Sequence, residues 1–259
     1  IKIINLLLDE KIDQSVLLDK AYIYFKTNEL EKCKNICNII IDKDIKNIKA
    51  INLIGRCMLE EKNYTEAEEK FNIGIAYEKN NIPLLNSLGK LNFEIWKIEK
   101  SEKFFLEALK INEKSYQTLN NIAGLYLETN RSQKALFFYN KALEISPNQP
   151  VILNNIAKTQ LSLNNIVDAE KFCKLAIKIK NDDSFRKTLS IINFQKMNFR
   201  EAWKNFDGRL GLNDFIKRNQ SYELIKMKLL NNKKINPEKK LLIIREQGIG
   251  DEILYGTIY

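Results

Sequence analysis

The chain has 259 residues and a formal net charge of +9, and it contains no histidine. Its nine glycines and four prolines are too few for an all-β fold, whose tight turns need both residue types. No apolar run approaches the roughly 18 residues that a membrane span requires, and no two of the four cysteines form a CxxC pair, which argues against a zinc site.

The cysteines and the basic residues are both interpreted as structural features of a folded domain, the cysteines in its core and the lysines on its surface. Cys33 and Cys37 lie four residues apart on one predicted helix face, and we interpret them as buried thiols. Isolated cysteines fit a reducing compartment, so we expect a cytoplasmic location. The excess of basic residues falls mainly between residues 184 and 245. Aromatic residues do not alternate with these charges, so we interpret lysine as a solvating residue and expect no nucleic acid partner.

A pattern with a period of 34 residues organises most of the chain. Residues 1–10 resemble the end of a helix, and position 1 is not methionine, so we expect a piece of a longer protein with further repeats upstream. The period frames five repeats, which are residues 14–47, 48–81, 82–115, 116–149 and 150–183. Residues 184–211 form a sixth, altered copy with Ala202 at a small position. This period predicts a solenoid of stacked helical hairpins over residues 1–211.

Small residues recur at two positions of every repeat. The eighth position holds Ala21, Gly55, Gly89, Ala123 and Ala157. The twentieth position holds Cys33, Ala67, Ser101, Ala135 and Ala169. Small side chains at both positions let the two helices of one hairpin approach closely, while larger residues at the twenty-fourth and twenty-eighth positions fill the space between hairpins.

One repeat carries a specific resemblance to a known family. Tyr126, Ala135, Tyr139, Ala142 and Pro147 match the pattern of the tetratricopeptide repeat within residues 116–149. The resemblance implies an all-α fold, a right-handed superhelix of helical hairpins whose first helices line a concave surface.

Asparagines form a column in this frame. The fifth position of the first helix, which faces inward in the family, holds Asn52, Asn86, Asn120 and Asn154, and the sixth adds Asn121 and Asn155. A carboxamide both donates and accepts, so such a column can hold the main chain of an extended peptide. The column resembles the inner surface of O-linked N-acetylglucosamine transferases. Asparagine is abundant throughout this chain, so a bias of composition is the alternative explanation.

The end of the chain leaves the repeat pattern. Residues 212–240 are polar and charged and predict a linker. Residues 241–259 predict a strand, a glycine turn and the start of a helix, the opening unit of a Rossmann-like domain. Gly248 and Gly250 permit close backbone approach, and the N–H groups of this turn can bind a phosphate or sugar-phosphate group. Asp251 suits either a helix cap or a catalytic role.

This ending resembles a bacterial group that joins tetratricopeptide repeats to a glycosyltransferase with two Rossmann-like domains. The matching residues at the turn are Glu246, Gln247, Gly248, Gly250 and Asp251, and those of the altered repeat are Trp203, Phe206 and Arg209. The opening is also similar to that of heptosyltransferases, and the likeness implies that Asp251 acts as the base on the acceptor. Glu252 stands where a threonine is common, and a Trp-x-Gly before the strand is missing.

Two functional hypotheses follow. In the first, the repeats recruit a polypeptide acceptor for a glycosyltransferase whose sugar-nucleotide domain is not in this chain. This piece would then hold no cofactor or metal and would be inactive alone, and the full-length protein would use a sugar nucleotide. In the second, the chain is a non-enzymatic scaffold for protein–protein interaction. A third hypothesis gives the basic stretch a role in acceptor binding at a bacterial envelope.

Overall fold

The structure, a computed structural model, describes residues 13–206, apart from the side chains of Trp203, Lys204 and Phe206. The predicted helix end in residues 1–10, the linker and the strand–turn–helix unit all lie outside the described residues. Twelve helices fill the described range: α1 Gln14–Lys26, α2 Leu30–Lys43, α3 Ile48–Glu60, α4 Tyr64–Tyr77, α5 Ile82–Glu94, α6 Ile98–Ile111, α7 Tyr116–Glu128, α8 Ser132–Ile145, α9 Pro150–Ser162, α10 Ile166–Ile179, α11 Asp183–Gln195 and α12 Phe199–Phe206. Consecutive pairs form six antiparallel hairpins, numbered 1 to 6, and each consists of an odd-numbered first helix and an even-numbered second helix.

The predicted solenoid of helical hairpins is confirmed over the described residues, while its handedness stays a prediction. The first helices of hairpins 1 to 5 begin 34 residues apart, from Gln14 to Pro150. Hairpin 6 begins one residue early, at Asp183, because the turn after α10 has three residues where the earlier turns between hairpins have four.

Most first helices begin at a side-chain cap. Asp13, Asn47, Asn81, Ser115 and Asp182 each accept a hydrogen bond from a backbone N–H in the first turn of the helix that follows. Such caps satisfy backbone donors that have no partner inside the helix. The exception, α9, begins with Pro150, which has no N–H to satisfy and whose fixed φ suits a first helical position.

Each hairpin turns through three residues, and the middle one has a positive φ. These residues are Asn28, Lys62, Trp96, Asn130, Asn164 and Met197, with φ between 56° and 65°. In hairpin 2, the N–H of Asn63 donates to the carbonyl of Met58 at 2.9 Å, which closes the end of α3. A left-handed residue at this position is a common way to end a helix and reverse the chain.

The core forms where the small residues predicted from the repeat meet larger ones. Ala21, Ala67, Ala123, Ala135 and Ala157 are fully buried. In hairpin 2, a Cβ added to Gly55 would stand 2.5 Å from the Phe71 ring, and the Phe105 ring crowds Gly89 of hairpin 3 in the same way. The missing side chain in the first helix therefore makes room for an aromatic ring in the second.

The first helices lie on the inner, concave side of the array. The first helices of all five successive pairs of hairpins contact one another, whereas successive second helices make no contact of similar extent within residues 13–206. Because the first helices stand closer together, the stack curves toward them.

Neither a membrane helix nor a metal cluster occurs in the part of the chain that the structure describes. None of helices α1 to α12 is long and apolar enough to cross a bilayer. No group of three potential metal ligands comes together there. All four cysteines are buried and free, as expected for structural thiols.

Candidate functional site

The predicted asparagines lie on the first helices α3, α5, α7 and α9, with different degrees of burial. Asn52 and Asn154 are buried, with 9% and 3% of their surface exposed. Asn86, Asn120, Asn121 and Asn155 are half-buried. The column therefore contains groups that face solvent and groups that face the neighbouring hairpin.

Each fifth-position asparagine of hairpins 2 to 4 accepts a hydrogen bond from the next hairpin. Ser87 Oγ donates to Asn52 Oδ1 at 2.8 Å. Asn121 Nδ2 donates to Asn86 Oδ1 at 3.4 Å, and Asn155 Nδ2 donates to Asn120 Oδ1 at 3.0 Å. In every case a fifth-position oxygen accepts from the sixth position of the following repeat. We call these three pairs the cross-hairpin rungs.

The rungs use only part of the hydrogen-bonding capacity of their side chains. Asn120 Nδ2 and the side-chain oxygens of Asn121 and Asn155 make no hydrogen bond within residues 13–206. A carboxamide offers two donors and one acceptor with two lone pairs, so these groups stay available to a ligand. Internal bonding also fixes the orientation of each amide, which lowers the entropy that binding would cost.

Two members of this network were not predicted from the sequence. Ser87 supplies the donor of the first rung, and Thr118 Oγ1 accepts from Asn86 Nδ2 at 2.8 Å. Ser87 stands at the sixth position like Asn121 and Asn155, so its place in the frame was the available signal. The partnership of Thr118 depends on the distance between hairpins, which the pattern does not give.

The series of rungs stops at hairpin 5. Asn154 Oδ1 is buried and has no hydrogen-bond partner in the described residues. Thr188 occupies the matching sixth position of hairpin 6, but its hydroxyl donates to the Ser184 carbonyl of its own helix at 3.1 Å. Hairpin 6 therefore lacks the link that joins hairpins 2 to 5.

A cavity of about 540 Å³ opens on the inner face across hairpins 1 to 4. We call it the inner pocket; its lining includes Tyr22, Asn52, Arg56, Asn86, Lys90 and Asn121. Lys90 is paired with Glu60 at 2.8 Å. The Arg56 guanidinium lies 4.4 Å from the centre of the Phe25 ring and forms no ion pair among the described residues. Within residues 13–206, the inner pocket thus combines amide groups with Arg56, a cation that has no ion-pair partner.

A second cavity, of about 720 Å³, lies on the outer side between α6 and α8. Its floor is formed by Leu106, Leu109 and Phe138, and its rim carries both lysines and glutamates. None of the predicted asparagines lines it. Asn52, Asn86 and Asn121 line the inner pocket, whereas Asn120, Asn154 and Asn155 line neither cavity.

Glu102 joins hairpins 3 and 4 beside the outer cavity. It accepts a hydrogen bond from the Tyr126 hydroxyl at 2.7 Å and pairs with Arg131 at 2.9 Å. Burial alone would raise the pKa of Glu102, but the bonds from Tyr126 and Arg131 outweigh it and lower that pKa. Burial and the bond to Glu102 raise the pKa of Tyr126 to about 12. This cluster is an inter-hairpin contact and not a group poised for proton transfer.

The predicted catalytic turn cannot be placed. Gly248, Gly250 and Asp251 lie outside the described residues, so their roles in phosphate binding and as a base stay predictions.

Comparison with known proteins agrees with the helical architecture. Residues 116–149 match the family model of the tetratricopeptide repeat. No curated protein sequence matches the chain significantly.

Several solved structures share the fold at low identity. PilF from Pseudomonas aeruginosa is 16% identical with a TM-score of 0.59, over 83% of this chain and 97% of that one. A tetratricopeptide repeat protein from Thermus thermophilus is 13% identical with a TM-score of 0.65, over 70% of this chain and 100% of that one. A chain of the Cut9–Hcn1 hetero-tetramer of the APC/C is 12% identical with a TM-score of 0.70, over 87% of this chain and 45% of that one. The described part of the chain therefore has the fold of a tetratricopeptide-repeat solenoid.

Proposed function

We propose that the array binds an extended polypeptide segment along its inner face. The observation that supports this most strongly is the row of cross-hairpin rungs along the first helices of four successive hairpins. In hairpins 4 and 5, Asn120, Asn121 and Asn155 keep amide groups without a hydrogen-bond partner within residues 13–206. Because amide groups match the donors and acceptors of a peptide main chain, binding of this kind tolerates many ligand sequences.

The spacing of the rungs suits an extended ligand. Packed helices stand about 8–10 Å apart, and a strand-like chain rises about 3.3 Å per residue. One step of the array therefore corresponds to about three ligand residues. A segment of 9 to 12 residues would span the rungs from Asn52 to Asn155.

The test removes one rung. A 12-residue peptide is selected against the wild-type chain from a random display library, and its affinity is measured by calorimetry. We expect Asn120→Ala with Asn155→Ala to weaken binding about tenfold, since each lost hydrogen bond is worth roughly 0.5–1.5 kcal/mol. Asn140→Ala, on the exposed outer side of α8 in hairpin 4, is the matched control and should bind like the wild type. Equal affinity of all three proteins, or failure to select any peptide, would contradict the proposal.

We also propose, from the sequence motif at residues 246–251 alone, that the full-length protein transfers a sugar to the bound polypeptide. The acceptor hydroxyl would attack the anomeric carbon, the bond to the nucleotide diphosphate would break, and Asp251 would take the hydroxyl proton. The similar structures carry no argument here, because their likeness concerns the fold.

The experiment incubates the product of the complete gene with the selected peptide and a panel of nucleotide sugars, and mass spectrometry reads the peptide. A sugar-sized mass increase that Asp251→Asn abolishes is the expected result. No increase with any donor, or an increase that Asp251→Asn leaves unchanged, would refute this role and leave the peptide scaffold standing.

A further inference from the structure

Gly124 is a helix-interior glycine that packing does not require. A Cβ on Gly55, Gly74 or Gly89 would approach a neighbouring side chain to less than 3 Å. A Cβ on Gly124 would meet only the Tyr139 hydroxyl, at 3.6 Å, which is ordinary van der Waals contact. Glycine is among the least favourable residues inside a helix, so α7 gives up stability here without a gain in packing.

The Tyr139 hydroxyl is a second feature that packing does not explain. Tyr139 is 2% exposed, yet its hydroxyl has no hydrogen-bond partner within residues 13–206. The hydroxyl oxygen is not among the buried polar atoms that lack a partner, so it keeps contact with solvent although the ring is buried. Phe71 and Phe105 fill the same position in hairpins 2 and 3, so the fold accepts a ring without the oxygen.

Both features lie at one point of the inner face. The residues that correspond to Gly124 in hairpins 1, 2 and 3 are Tyr22, Arg56 and Lys90, and all three line the inner pocket. On α7 itself, Asn120 precedes Gly124 by one turn and belongs to the rung with Asn155. The row of side chains along the inner face is therefore interrupted beside a rung, next to the unpartnered hydroxyl.

We propose that Gly124 is a notch through which the Tyr139 hydroxyl donates a hydrogen bond to a main-chain carbonyl of the bound peptide. This inference rests on the proposed peptide-binding function and assigns one contact point within it. With no side chain at position 124, the ligand backbone lies against α7, close enough to reach the hydroxyl.

Two further observations fit this role. Burial, followed by the nearby Glu128 carboxylate, raises the pKa of Tyr139, so the hydroxyl keeps its proton and stays a donor. Asn120 Nδ2 is free to donate to the same stretch of ligand one helical turn away. A main chain crossing α7 would meet both donors.

The first test replaces Tyr139 by phenylalanine and measures binding of the display-selected 12-residue peptide by calorimetry. We expect Tyr139→Phe to weaken binding three- to tenfold, as the loss of one hydrogen bond does. Its unfolding temperature should match the wild type or exceed it, because no bond inside the protein is lost.

The matched control is Tyr126→Phe, which removes a hydroxyl of the same hairpin that does have a partner, Glu102. This variant should lower the unfolding temperature and leave peptide affinity unchanged. If Tyr139→Phe instead lowers the unfolding temperature and spares binding, the hydroxyl serves the fold, through a buried water for example, and the proposal is overturned.

The second test places a methyl group in the notch. Gly124→Ala should raise the unfolding temperature, because alanine is the better helix former, and should weaken peptide binding by shielding the hydroxyl. In a Tyr139→Phe background, Gly124→Ala should cost little further affinity. Fully additive losses would show that the methyl acts independently of the hydroxyl and would contradict the notch.

The outcomes separate this inference from the proposed function. Wild-type affinity in Tyr139→Phe and Gly124→Ala, with weakened binding in the Asn120→Ala, Asn155→Ala double variant, refutes the notch and leaves the groove. Failure of every variant to change affinity refutes both.

Discussion

Gly55 and Phe71 show how side-chain size is matched across a single hairpin. The Phe71 ring fills the space where a Cβ of residue 55 would stand, at 2.5 Å. Hairpins 1 and 5 solve the same contact with an alanine and a cysteine, Ala21 with Cys37 and Ala157 with Cys173, all of them buried. Hairpin 4 combines an alanine with a ring, Ala123 with Tyr139, both buried. The fit at this contact therefore depends on how the ring lies as well as on the size of the first-helix residue.

This dependence makes the effect of an added methyl group predictable. Gly55→Ala should lower the free energy of unfolding by about 1–3 kcal/mol, because the overpacking outweighs a gain of about 1 kcal/mol in helix propensity. In a Phe71→Cys background the same change should be neutral or stabilising. Urea unfolding of the four proteins of this double-mutant cycle measures both effects, and an equal cost in the two backgrounds would contradict the packing explanation.

Glu102 gives a pH dependence to the contact between hairpins 3 and 4. Its pKa is lowered in the folded state, so its contribution is present above the ordinary glutamate pKa of about 4.3 and disappears as the pH falls through the lower folded value. We expect Glu102→Gln to cost about 1 kcal/mol at pH 7 and less at pH 3, where the carboxylate is being protonated. Urea unfolding at both pH values checks this, with Glu113→Gln as an exposed control; a cost that stays constant with pH would rule out an ionic origin.

The positions of the asparagines in the column could be predicted from the sequence, but most of their hydrogen bonds could not. Its register was available from the sequence because the period fixes which positions share a face. The bonds from Ser87 to Asn52 and from Asn155 to Asn120 were not, since they depend on the offset between neighbouring hairpins. The missing partner of Asn154 Oδ1 could not be predicted either, because it depends on the Thr188 hydroxyl, which donates to the Ser184 carbonyl in hairpin 6.

At the scale of the helical hairpin, the turns within the hairpins share one backbone conformation but differ in residue type. The middle residue has a positive φ in all six described turns. Asparagine tolerates this conformation well and occupies three of them, at positions 28, 130 and 164. Lys62, Trp96 and Met197 carry the same backbone with side chains that disfavour it. The repeat thus imposes the turn even where the local sequence does not favour it.

Lys62 provides a direct test of this cost. Its side chain is exposed, so replacing it removes little packing. Lys62→Gly should raise the free energy of unfolding by about 0.5–1 kcal/mol, because glycine adopts a positive φ without the steric penalty. Lys62→Ala keeps the penalty and should give no gain. Chemical denaturation of both variants decides the matter, and a loss of stability in Lys62→Gly would show that the turn is not strained.

At the scale of the whole described array, the sequence predicted the helical solenoid, whereas the role of the asparagines stays a prediction. A repeated local pattern specifies stacked hairpins because every copy makes the same contacts with its neighbours. The shortened turn before Asp183 gives the position of the one-residue offset in the altered sixth copy. The rung is missing there because the Thr188 hydroxyl bonds within its own helix. The predicted enzyme turn has no such repetition to support it.

Curvature connects the array to its proposed ligand. The first helices stand closer together than the second helices, so the inner face is concave and the amide groups of several hairpins converge on it. The outer cavity between α6 and α8 is larger, but its rim mixes charges of both signs and holds no asparagine of the column. These two surfaces are the alternatives that a binding experiment must distinguish.

The most direct test is photo-cross-linking of the display-selected peptide, with a benzophenone side chain at successive positions and the attachment sites read by mass spectrometry. We predict cross-links to the first helices α3, α5, α7 and α9, moving from one hairpin to the next as the probe moves by about three residues. Cross-links confined to the second helices α6 and α8 would contradict binding along the inner face.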